Sequence, residues 1–105
     1  MAITPEKRVK NEVVKILKEN NVYYFFPGTH GYGRSGVPDI VCCVDGKFLA
    51  IECKAKVNTV TALQEREIKK IQTANGIALV VNESNMDLVR GTLKLIKEPN
   101  EETHS

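Results

Sequence analysis

The dipeptide Asp45-Gly46 stands between two apolar runs, residues 39–44 (Asp-Ile-Val-Cys-Cys-Val) and 47–53 (Lys-Phe-Leu-Ala-Ile-Glu-Cys). Asp-Gly in that setting is the strongest short-range signal of a two-residue β-hairpin, because both turn positions need positive φ and these residue types tolerate it. A hairpin with a two-residue loop fixes its own register. Val44 pairs with Lys47, and counting back along both strands sets Asp39 directly opposite Glu52. Opposed residues share a face, with Cβ atoms roughly 4.5–5.5 Å apart. Two carboxylates so placed repel and cost stability unless a positive charge lies between them. Lys54, two residues beyond Glu52, returns to the same face. The expectation holds provided no β-bulge interrupts the ladder.

Two carboxylates and an ammonium at the end of apolar strands suit a hard divalent cation, which takes oxygen ligands and commonly one or two carboxylates. The Cys53 thiol points to the other face, while its backbone carbonyl offers a further oxygen. A cation there neutralises charge developing on a phosphate and orients an in-line attack. Lys54 holds or polarises the attacking water, or stabilises the phosphoryl oxygens. The bland alternative is a Pro-Asp turn and a solvated Glu-x-Lys edge, but these strands are too apolar for a wet edge.

The remaining elements follow from periodicity and caps. Thr4-Pro5-Glu6 opens a helix with Thr as N-cap and Pro in the first turn; it runs to Asn20-Asn21 and shares Val9, Val13, Ile16 and Leu17 on one face. Glu12 lies about 40° from Ile16 and about 60° from Val9, at the margin of that stripe. Residues 22–26 read as a strand. Thr61-x-x-Gln64 is a capping box opening a helix that ends at Asn75-Gly76. Gln64 also falls between Ile68 and Ile71 on the inward face, so closing the cap and serving the site are both open to it. Residues 77–81 form a wholly apolar strand expected to be buried on both faces. Ser84 is expected to cap a last helix with Met86, Val89, Leu93 and Ile96 in one stripe. The order is αβββαβα, an α/β chain with a mixed sheet flanked by helices.

Composition removes several classes. The chain has 105 residues, one domain's worth, and 42% are apolar, enough for a core without disulfides or structural metal. No apolar run approaches a membrane span, and the start Met1-Ala-Ile-Thr-Pro-Glu-Lys-Arg lacks the apolar stretch of a signal peptide. Cys42, Cys43 and Cys53 offer no disulfide framework, and His30 and His104 have no zinc spacing. The expectation is a reduced, cytoplasmic protein. Residues 98–105 hold three glutamates and no Lys or Arg, and are expected to be a flexible acidic tail. The body, residues 1–97, therefore carries 15 basic against 10 acidic residues, a mild preference for a polyanion.

Pro38-Asp39, twelve intervening residues and Glu52-Cys53-Lys54 resemble the PD-(D/E)xK nuclease superfamily, whose core is restriction-endonuclease-like. Gly36-Val37-Pro38-Asp39, the helical Glu12 and the small size look most like its VRR-NUC branch, the virus-type replication-repair nucleases. The resemblance covers residues 5–96. It implies that Asp39, Glu52, the Cys53 carbonyl and Glu12 bind Mg²⁺ or Mn²⁺, that Lys54 is catalytic, and that Gln64 matches a glutamine found near the metal in this superfamily.

Gly31-Tyr32-Gly33-Arg34-Ser35-Gly36 fits the dinucleotide pattern G-x-G-x-x-G, but a strand follows it where that fingerprint needs a helix. The loop leads straight into Asp39 instead, so Arg34, Ser35 and His30 are candidates for the DNA backbone and Tyr32 for a sugar or base. Lys56 is a candidate phosphate contact; the bland reading for each is an ordinary surface residue. The expected function is a metal-dependent, structure-specific DNA endonuclease, a homodimeric Holliday-junction resolvase encoded by a phage and acting in the bacterial cytoplasm. Flap or general nicking, and an inactive nucleic-acid-binding module, are the alternatives.

Overall fold

The computed structural model describes residues 3–28 and 35–98. Arg34, Tyr32 and His30, and the tail beyond Glu98, lie outside the described residues. Helix α1, Pro5–Glu19, starts where Thr4 accepts the Lys7 N–H (3.2 Å) and Pro5 takes the first turn. Strands β1 (Tyr23–Phe25), β2 (Ile40–Val44) and β3 (Lys47–Cys53) form an antiparallel meander. Helix α2, Ala62–Thr73, then carries the chain across to β4, Ile77–Val81, which lies parallel to β3. Helix α3, Asp87–Lys97, closes the described chain. The sheet order is β1-β2-β3-β4, a mixed sheet in the order αβββαβα, compatible with a restriction-endonuclease-like fold.

The hairpin register is the one the Asp-Gly turn dictates. Val44 pairs with Lys47 and the ladder runs without a bulge to Ile40 opposite Ile51. Asp45 and Gly46 take φ of 49° and 79°, and both are exposed. Side chains of one pleat, Ile40, Cys42, Val44, Leu49, Ile51, Cys53 and Val81, join Val9, Val13, Ile16 and Leu17 of α1 and Val89 and Leu93 of α3 in one core. Glu52 alternates onto the other pleat, which α2 covers; Ile71 of that helix packs where Phe48 and Gly76 meet. Among the described residues no helix is long and apolar enough to cross a membrane.

Two expectations need correction. β4 is not buried on both faces: residues 77–80 are half-buried and only Val81 is fully enclosed. Among the described residues it is an edge strand with β3 as its one neighbour in the sheet, so its outer side lacks the cover a central strand would have. Ser84 does not cap α3. Its N–H and hydroxyl both donate to Asn82 Oδ1, and Asn82 N–H donates to Asn85 Oδ1. These local side-chain bonds build a turn that competes with helix, so α3 begins only at Asp87 and has no side-chain cap.

Candidate active site

The C-terminal end of β3 gathers the chemistry. Asp39, one residue before β2, sends Oδ2 to the Cys53 N–H at 2.8 Å, and this bond ties the start of β2 to the end of β3. Glu52 and Lys54 are both buried, 4% and 8% exposed, and Lys54 Nζ stands 3.8 Å from Glu52 Oε2. A buried lysine beside a buried carboxylate is costly to keep unless each compensates the other. Pro38 is buried directly before Asp39, which anchors the approach to the strand.

Gln64 closes the capping box and also reaches Glu52. Its Oε1 accepts the Thr61 N–H (2.9 Å), closing the capping box, while its Nε2 donates to Glu52 Oε2 at 2.9 Å. One amide thus joins the first turn of α2 to the site. Burial raises the Glu52 carboxyl to about 7, helped by the Asp39 charge and opposed by Lys54. The buried Cys53 thiol is pushed up to about 12, by burial first and then by the charges of Asp39 and Glu52.

The helical acid whose charge acts on Glu52 is Glu6, a residue the sequence reading passed over. Glu6 also accepts from Asn58 Nδ2 at 3.2 Å, in the loop that follows Lys54. It lies only about 20° from both Val13 and Leu17 on the helical wheel, nearer the buried stripe than Glu12. That signal was hidden because an acid after Thr-Pro reads as an ordinary first-turn residue. Glu12 is exposed and lines a groove with Arg8, Glu83 and Met86.

Lys56 is exposed beside the site, its backbone N–H donating to Glu83 Oε1 at 2.6 Å. Ser35 is exposed next to Leu63 and Arg66 of α2. Among the described residues no cluster of three or more His, Cys, Asp or Glu side chains stands ready for a metal. The oxygens that would be at hand for a cation are those of Asp39, Glu52 and the Cys53 carbonyl. That fits a cation such as Mg²⁺, which keeps several waters and needs only one or two carboxylates.

No curated protein matches the chain. The family model described as archaeal Holliday junction resolvase (hjc) matches residues 6–83, a span that takes in Glu6, Asp39, Glu52, Lys54 and Gln64. The chain therefore belongs to the archaeal Holliday junction resolvase (Hjc) family of the PD-(D/E)xK nuclease superfamily.

Proposed function

We propose that this chain is a metal-dependent, structure-specific DNA endonuclease that resolves four-way junctions as a homodimer, and that it stands nearest the VRR-NUC branch of its superfamily. The observation that carries this reading is the buried Glu52–Lys54 pair facing Asp39, with Gln64 fixing the Glu52 carboxylate. Such a trio has no structural purpose that apolar residues would not serve better. Asp39, Glu52 and the Cys53 carbonyl would hold Mg²⁺ or Mn²⁺. When bound, the cation supplies Lewis-acid stabilisation for negative charge gathering on the phosphate.

The chain's own residues do the rest. Lys54 Nζ donates to the attacking water or to a phosphoryl oxygen, and burial makes that donor far more effective than one in water. Asp39 is held in place by the Cys53 N–H, so the pocket is organised before substrate arrives. Gln64 keeps the Glu52 carboxylate turned toward Lys54. Water oxygen bonds phosphorus and gives up one of its protons to solvent, the bond to the leaving strand oxygen breaks, and that oxygen takes a proton from solvent, so no net proton is gained or lost. A two-fold dimer sets two such sites at one separation, as paired nicks across a junction require.

The test is an end-labelled four-way junction, a flap and plain duplex, each with Mg²⁺, Mn²⁺ or EDTA. Paired nicks at the junction that need metal are expected, with Asp39→Asn inactive. Metal-dependent cutting of flap or duplex instead would keep the site and discard the junction preference. Binding without cutting would mark an inactive module. An unchanged cleavage rate in Lys54→Ala would overturn the mechanism.

A further inference from the structure

We propose that the groove along the outer face of α1 is the track on which a DNA duplex arm lies, its phosphates held by Lys7, Lys15 and Lys18. The identity of the polymer rests on the nuclease reading above; the groove itself rests on three observations.

The first is uncompensated charge. The groove, about 600 Å³, is walled by Lys7, Lys10, Lys15 and Lys18. Among the described residues no ion pair engages any of the four. Helix α2 behaves differently, for there Lys69 pairs with Glu65 and Lys70 with Glu67. The acid in the groove, Glu19, is drawn off to Arg90 of α3 at 3.2 Å.

The second is an apolar floor. Val14 and Phe26 line the same groove, and Phe26 is 49% exposed with the Lys10 ammonium 4.1 Å from its ring centroid. A solvated lysine face does not need an exposed ring beneath it. Duplex DNA presents anionic phosphates alternating with the apolar edges of deoxyribose, which matches lysines on the walls and carbon on the floor. Phe26 also holds Lys10 by a cation–π contact, which fixes that ammonium over the floor and leaves the other three lysines to the phosphates.

The third is direction. Glu6, one turn before Lys10 on the same helix, accepts from Asn58 Nδ2 in the loop after Lys54 at 3.2 Å, so α1 runs from the groove to the edge of the candidate site. From Lys7 to Lys18 the helix rises about 16 Å, the length of roughly five base pairs at 3.4 Å each. A backbone track of that size reads no sequence, only the presence of an arm.

The test measures binding without metal, by fluorescence anisotropy in EDTA over a salt series, on a four-way junction and on plain duplex. Lys7→Ala/Lys18→Ala is compared with the unaltered protein and with Lys69→Ala/Lys94→Ala, which removes the same charge from exposed positions on α2 and α3. Alanine is the best helix former, so both variants should fold. The expected result is a salt slope shallower by about two in the α1 variant, on both substrates, and little change in the control. An unchanged slope in the α1 variant overturns the proposal. An equal loss in the control also overturns it, since net charge and not the groove would then govern binding. Cleavage by the unaltered protein is assayed separately with Mg²⁺. Cutting with an unchanged slope discards the groove and keeps the nuclease; a shallower slope without cutting does the reverse.

Discussion

The proton of Glu52 is pulled in opposite directions by its surroundings. Burial and the Asp39 charge raise its carboxyl to about 7, while the Lys54 ammonium works the other way. Its folded affinity for the proton thus exceeds that of the unfolded chain, near 4.5. The stability this gives is fully present below about pH 4.5 and is lost as pH rises through about 7. In EDTA the melting temperature should therefore fall between about pH 5 and pH 8, and Glu52→Gln should flatten that fall. Adding Mg²⁺ to the unaltered protein at pH 8 should raise the melting temperature again, because a cation that binds only the folded state stabilises it. Thermal melts in the two buffers check both outcomes. Gln64 allows a sharper comparison. Thr61→Ala and Gln64→Ala each break the capping box, and each should cost about 1 kcal/mol in denaturant unfolding. Only Gln64→Ala also frees the Glu52 carboxylate, so it alone should slow cleavage, by on the order of 10- to 100-fold. Asp39, Glu52 and Lys54 were legible because a two-residue turn and a period of two fix them without tertiary information. Glu6 was not, since its role depends on which loop comes to meet α1.

At the scale of elements, Gly36 and the start of α2 are locked together. Gly36 has φ of 83°, and a Cβ there would stand 2.6 Å from the Leu63 carbonyl carbon and oxygen and 2.9 Å from the Gln64 nitrogen. The loop before Asp39 thus presses on the first turn of the helix that supplies Gln64. Gly36→Ala meets both strain and backbone, and should destabilise by about 3 kcal/mol or more while also lowering activity. Gly91→Ala makes the opposite case: it sits inside α3 with open space around it, and should stabilise by about 0.5–1 kcal/mol. Denaturant titration of both variants tests the pair. The elements themselves were readable from caps and periodicity, Thr4, Thr61 and Asp45-Gly46 above all. The misreadings at β4 and Ser84 share a cause. An apolar strand does not announce whether it is central or at an edge, and Asn82 and Asn85 offer hydrogen bonds that outbid a serine cap.

For the molecule as a whole, one apolar core holds two of the three cysteines. Cys42 and Cys53 are buried, each thiol pushed up to about 12 chiefly by burial, while Cys43 lies exposed on the opposite pleat. A thiol reagent at neutral pH should therefore titrate one cysteine rapidly in the native protein and three in denaturant, a direct reading of core integrity. Two fast native thiols would mean that the core opens at β2 or β3. The site is assembled from β2, β3 and the first turns of α1 and α2, all at one end of the sheet. The other end of the hairpin, Asp45-Gly46, is exposed, with nothing within 4 Å of where a Gly46 side chain would begin. Lys47 and Glu52 lie five positions apart along β3, a distance of about 17 Å. Chemistry and chain reversal thus occupy opposite ends of the same two strands. Residues inserted at that tip, as a label, a tether or an added recognition element, should leave the candidate site at the far end undisturbed.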